Sequence, residues 1–176
     1  MRVLLRWLAG RSLRFLHVLG AGLGWLAYWG STPYRQRLDT HARAAGLGRR
    51  ERHAAIAEAG RLVAELPRLW LRPAGAPIAD PLEWEGTTWF EERLAEPRGL
   101  LLLTPHLGGF EVSAQAYAER YGERRPITVL FRPARRAWLR ELEARARERP
   151  HLRAVPATQA GVRELLRALR RGHRRG

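Results

Sequence analysis

Gly99-Leu100-Leu101-Leu102-Leu103-Thr104-Pro105-His106-Leu107-Gly108-Gly109-Phe110-Glu111 is the stretch on which the reading of the fold turns. Its apolar run, Leu100 to Thr104, is bounded by glycine and proline and predicts a fully buried strand. A helical pattern begins at Phe110, and the two glycines between allow a tight turn. Strand, turn and helix in that order make the repeating unit of a parallel sheet. The same stretch sets His106 at the strand's end and Glu111 five residues on. A general base needs a group that orients it and a fold edge that exposes it, and this segment offers both.

The alternation extends in both directions. Leu82 to Gly86 is expected as a short strand and Thr88 to Ala95 as a helix. Phe110 to Tyr121 is expected as a helix, Ile127 to Phe131 as a strand, Arg135 to Arg149 as a helix and Leu152 to Val155 as a strand. Gln159 to Arg171 follows as a helix, with Thr158 as its N-cap and Gly172 at its end. Residues 82–176 are therefore expected to form an α/β domain, a mainly parallel sheet flanked by helices. The last helix has an apolar face at Val162, Leu165, Leu166 and Leu169. Such a helix normally leads into another strand, and none follows, so the C-terminal part of the domain is expected to be missing.

Residues 33–81 read as a helical segment and loop. Tyr34 to Ala45 and Arg49 to Leu71 carry helical patterns, with Pro67 expected to kink or break the last turn of the second. Arg72 to Pro81, RPAGAPIADP, is a loop. Residues 1–32 are expected to be a membrane anchor, spanning or shallow. From Phe15 to Gly30 the only ionisable side chain is His17, and Arg2, Arg6, Arg11 and Arg14 precede it. Those sixteen residues fall short of the roughly 20 that span a bilayer unaided, but arginines and the aromatic Trp25, Tyr28 and Trp29 extend them to the interface. A buried soluble helix is the competing reading. No small-x-small cleavage site marks a signal peptide.

Composition narrows the chemistry. With no cysteine, disulfides, thiolate catalysis and cysteine-ligated metals are excluded. All 32 cationic residues are arginine, and the net charge is +15. Nine arginines face one aspartate in residues 1–50, and seventeen face five glutamates in residues 120–176; between them eleven acids outnumber six arginines. Basic ends suit phospholipid, a phosphorylated glycolipid, an acidic carrier protein or nucleic acid.

His-x4-Glu also occurs at His53 and Glu58, but on a continuous helix those side chains point about 140° apart and are expected to be solvated. Arg132, in Phe131-Arg132-Pro133, follows the next strand and would share the sheet's carboxyl-end rim with His106, placed to hold a phosphate or carboxylate. Ser113 has no nucleophile-elbow surroundings. The histidines are too scattered for a metal site, no phosphate-binding glycine loop is present, and no cofactor is expected.

An apolar N-terminal stretch, the strand into TPHLGGFE, then VLFRP and AGVRELLRALRRG, resembles in order the lipid A biosynthesis acyltransferases of Gram-negative bacteria. These are the late lauroyl and myristoyl transferases of the lysophospholipid acyltransferase group. The resemblance runs from about Trp7 to Gly172 and implies a fatty acyl chain passed from an acyl-carrier-protein thioester to a hydroxyl of a lipid A precursor, in lipopolysaccharide biosynthesis. It implies His106 and Glu111 as the catalytic pair and Arg132 as substrate-binding. It places the protein on inner-membrane phospholipid, its catalytic part facing the cytoplasm, with no nucleic-acid partner. Position 109 is glycine where the family often has a small polar residue, and the family continues past this chain's last helix. Two alternatives are a glycerol phosphate or lysophospholipid acceptor and a non-catalytic basic membrane-binding protein.

Overall fold

The computed structural model describes residues 2–73, 75–78, 82–105, 107–147 and 149–172. The chain divides into two compact units, Met1–Leu71 and Arg72–Gly176.

The first unit is helical: α1 (Arg2–Ala9), α2 (Leu13–Gly30), α3 (Thr32–Ala44) and α4 (Arg49–Trp70). Ser12 starts α2 by accepting a hydrogen bond from the Phe15 amide at 3.2 Å. One stripe of α2 packs on α4, with Leu16, Gly20 and Gly24 buried against Ile56, Gly60 and Ala64. The contact is backbone to backbone. A Cβ on Gly20 would fall 2.7 Å from the Gly60 carbonyl oxygen and 2.8 Å from the Ala64 Cβ. Polar links frame the crossing. His17 Nε2 lies 2.6 Å from Glu65 Oε1, and the Tyr28 hydroxyl donates to Asp39, which also pairs with Arg52 at 3.5 Å. Arg68 donates to the Arg11 carbonyl at 2.8 Å, tying the end of α4 to the α1–α2 turn.

Two expectations change here. No helix among the described residues is long and apolar enough to cross a membrane, so a transmembrane helix is not supported. The 18 residues of α2 rise about 27 Å against a hydrocarbon core of about 30 Å, and Arg14 and His17 sit within them. Pro67 does not break α4, which continues through it to Trp70 and closes with a 3.0 Å bond from the Leu71 amide to the Pro67 carbonyl. Proline removes one ladder bond, but burial of its ring holds the final turn in place. His53 is not simply solvated either: its ring stands edge-on to Trp25 with centroids 5.2 Å apart.

The second unit carries α5 (Thr87–Ala95), α6 (Phe110–Tyr121), β1 (Ile127–Phe131), α7 (Ala137–Arg147), β2 (Leu152–Pro156) and α8 (Gln159–Gly172). β1 and β2 pair in parallel, Ile127 opposite Leu152 through Phe131 opposite Pro156, joined by α7. Thr158 caps α8 as expected, accepting from the Gly161 amide at 3.2 Å. Leu94, Tyr117 and Tyr121 form a core cluster under Trp84, Phe90, Leu100 and Ile127. Phe90 meets Tyr117 edge-on, and so does Trp84 with Tyr121. Burial pushes the Tyr117 phenol up from its ordinary value, so it stays a donor, here to the Arg125 carbonyl at 3.1 Å.

The parallel α/β arrangement is therefore present, but the described sheet has two strands. Leu82–Gly86 and Leu100–Thr104 are not strands. Leu100 packs on the aromatic cluster, whereas Leu101, Leu102 and Leu103 are exposed, Leu103 by 87%. An apolar run becomes a strand only where a ladder partner and cover on both faces exist, and β2 is the described partner of β1.

The glycine crossing yields a paired expectation. Gly20→Ala should lower stability by about 1–3 kcal/mol through overpacking, against its better helix propensity. Gly22→Ala, where nothing meets the new Cβ, should raise it by up to about 1 kcal/mol. Urea unfolding of both variants checks the pair; equal effects would show that the helices do not approach this closely.

Candidate functional site

Gly108 and Gly109 make the turn before α6 as the sequence required. Gly108 has φ +55°, a conformation that costs glycine nothing, and its carbonyl accepts from the Phe110 amide at 2.9 Å. Glu111 then falls in the first turn of α6, where the helix dipole favours a carboxylate. Its side chain is 21% exposed.

The partner of Glu111 is Arg147, at the end of α7. Arg147 Nη2 donates to Glu111 Oε1 at 3.3 Å, and its guanidinium lies 4.8 Å from the centre of the Phe131 ring. Glu143, one turn earlier on α7, faces the same guanidinium at 3.7 Å. Glu143 is buried and accepts from the Ala134 amide at 3.0 Å. A single arginine thus joins the first turn of α6 to the carboxyl end of β1 and to the loop after it. Glu143 fixes that loop through its backbone. The Arg147 Nη1 atom is buried, makes no hydrogen bond among the described residues and lies 3.7 Å from Glu143 Oε2.

Arg132 is exposed just beyond Phe131, on the strand-end rim where the sequence placed it. The bridge through Arg147 and Phe131 brings Glu111 towards the strand end that carries Arg132. His106 lies outside the described residues. No group of three or more histidine or acidic residues able to hold a metal occurs among the described residues.

Arg147 and Glu143 escaped the sequence reading. On a helix, charges four residues apart read as an exposed ion pair. The available signal was their place: they alternate with Leu139, Leu142 and Ala146 on the face that a crossover helix turns to its sheet. Charges on such a face need partners from other elements.

The link between Glu111 and Arg147 is measurable. A double-mutant cycle of Glu111→Gln and Arg147→Met, read by urea unfolding, should give a coupling of about 1–2 kcal/mol. Additive effects would show that the two side chains do not interact.

Comparison with known proteins bears on the whole of this segment. No curated protein and no solved structure matches the chain significantly. The family model described as bacterial lipid A biosynthesis acyltransferase matches residues 49–174, well over half of the sequence, with Glu111, Arg132 and Arg147 inside the match. On that match the chain belongs to the bacterial lipid A biosynthesis acyltransferase family and is an acyltransferase.

Proposed function

We propose that the protein moves a fatty acyl chain from an acyl-carrier-protein thioester to a hydroxyl of a lipid A precursor. The observation that carries this reading is the family match, which includes the Glu111 turn and the strand end at Arg132. In this reaction His106 accepts the hydroxyl proton while the oxygen attacks the thioester carbonyl. An imidazole, with an ordinary pKa of about 6.5, suits that task at neutral pH. Glu111 orients the imidazole and stabilises its cation, and Arg147 in turn holds Glu111 in place. Arg132 binds an anionic group of the substrate. The thiolate of the carrier leaves and takes up the proton from the imidazolium. Without cysteine in the chain, direct transfer is simpler than a thioester on the enzyme.

The first unit gives a reason for the protein to lie on inner-membrane phospholipid, at the cytoplasmic face. The α2 side chains turned away from α4 are apolar and open: Val18 is 77% exposed, Leu26 62% and Trp29 64%. Val3, Leu4 and Trp7 of α1 are likewise exposed, with the exposed Arg6, Arg11 and Arg14 among them. Apolar and aromatic side chains ringed by arginine favour a helix lying in the interface plane, which needs no spanning length.

Two measurements test this reading. Labelled acyl transfer by the intact chain should fall about 10²–10⁴-fold in His106→Ala and in Glu111→Ala. Normal rates in either variant would overturn the assigned roles. Flotation with vesicles of anionic phospholipid should capture the protein, and Val18→Asp with Leu26→Asp should release most of it. Unchanged capture would place the lipid contact elsewhere.

A further inference from the structure

Helix α8 turns one face to the sheet and leaves the other bare. It packs on β1 and β2, with Gly161 buried and Leu165 and Leu169 half-buried. On the opposite face Arg163, Arg167 and Arg170 are exposed, spaced four and three residues apart so that they form one row. Val162 and Leu166, 42% and 46% exposed, edge that row. None of the three arginines has an ion pair or a side-chain hydrogen bond among the described residues. Glu164 is the one acid in the helix, and it pairs with Arg153 of β2 instead.

This charge does not serve the helix. Arg170 and Arg171 in the last turn suit the negative end of its dipole, but Arg163 lies in the second turn, and no acid occupies the first. Like charges at i and i+4 repel, and Arg163 and Arg167 are such a pair. An unpaired row of one sign, held at a cost to its own helix, fits an anionic partner. Phospholipid and an acidic protein both offer anionic surface. A helix lying in a bilayer buries a wide apolar face, and that of α8 is already covered by β1 and β2. Exposed guanidiniums edged by two aliphatic side chains, on a helix without an aromatic residue, match a protein surface instead.

The end of α8 also lies against the segment that leads to the proposed reaction. A Cβ on Gly99 would stand 2.7 Å from the Leu169 Cδ1, so the last turn of α8 rests on the chain just ahead of His106. Between Gly99 and His106, Leu101, Leu102 and Leu103 are exposed. That length of chain spans at most roughly 25 Å. A partner that carries its acyl group on a flexible arm need only dock within such a reach. We propose that the Arg163, Arg167 and Arg170 row of α8 is the docking surface for the acidic acyl-carrier protein. Carboxylates of the carrier pair with the three guanidiniums, while Val162 and Leu166 meet its apolar side chains. The choice of this partner rests on the proposed acyl transfer; the fit to an acidic protein rests on α8 itself.

Fluorescence anisotropy of a labelled bacterial acyl-carrier protein, titrated with the intact chain at constant ionic strength, is the direct test. Saturable binding is expected, roughly tenfold or more weaker when Arg163→Glu and Arg167→Glu are combined. The same change of charge at the exposed start of α4, Arg49→Glu with Arg50→Glu, should leave it unaltered. A carrier whose acidic helix residues are changed to lysine should bind the α8 variant better than the native chain, a gain that loss of the fold does not produce. No saturable binding, or equal loss in both double variants, overturns the proposal. So does normal carrier binding by the α8 variant together with lost flotation on anionic vesicles, which would assign the row to lipid. In acyl transfer, KM for the carrier should rise about tenfold in the α8 variant while KM for the lipid A precursor stays unchanged. Transfer with an unchanged KM for the carrier would overturn the docking surface and leave the proposed function standing. Carrier binding through α8 without acyl transfer would overturn the proposed function and leave the docking surface standing.

Discussion

Helix α6 is held by arginine. Three acceptors, Glu111, Gln115 and Glu119, recur every four residues along it, and each is taken by a guanidinium from another part of its unit. Arg147 comes from the crossover helix and Arg72 from the loop that opens the unit. A half-buried carboxylate without such a partner would be costly, so these contacts fix where the loop and α7 can lie. The opposite side of α6 carries Tyr117 and Tyr121 into the aromatic cluster. One helix therefore sets the core on one side and the polar chemistry on the other. The proposed catalytic carboxylate is the first level of that polar row.

The sequence was most legible where periodicity and a local signal agreed. β1, α7, β2 and α8 fall within two residues of their expected limits, and Thr158 caps α8 as its position required. Those elements form a contiguous strand–helix–strand–helix run in which β1 finds its partner β2 within the run itself. The failures share one cause. Leu100–Thr104 is as apolar as any buried strand, but strand formation depends on a neighbour that the segment's own residues do not specify. Leu82–Gly86 failed in the same way, with Trp84 serving the aromatic cluster from a loop.

The candidate site was legible in one half. Glycine conformation and the helix start placed Glu111 correctly, because both are local properties. Its partner was not legible, because an arginine 36 residues away can be assigned to it only through the packing of α7. The apolar stretch in residues 15–30 misled for a related reason. Hydropathy gave no hint that Gly20 and Gly24 would form an inward stripe while Val18, Leu26 and Trp29 point out.

That stripe has a consequence for motion. Gly20, Gly24 and Gly60 meet through their backbones, and a contact without side chains has no rotamers to freeze or exchange. The outward Val18, Leu23, Leu26 and Trp29 of α2 keep their torsional freedom. Stiffness and adaptability are thus divided between the two sides of one helix: the crossing with α4 is rigid, while the apolar side can reshape itself against an uneven, fluctuating surface without disturbing it.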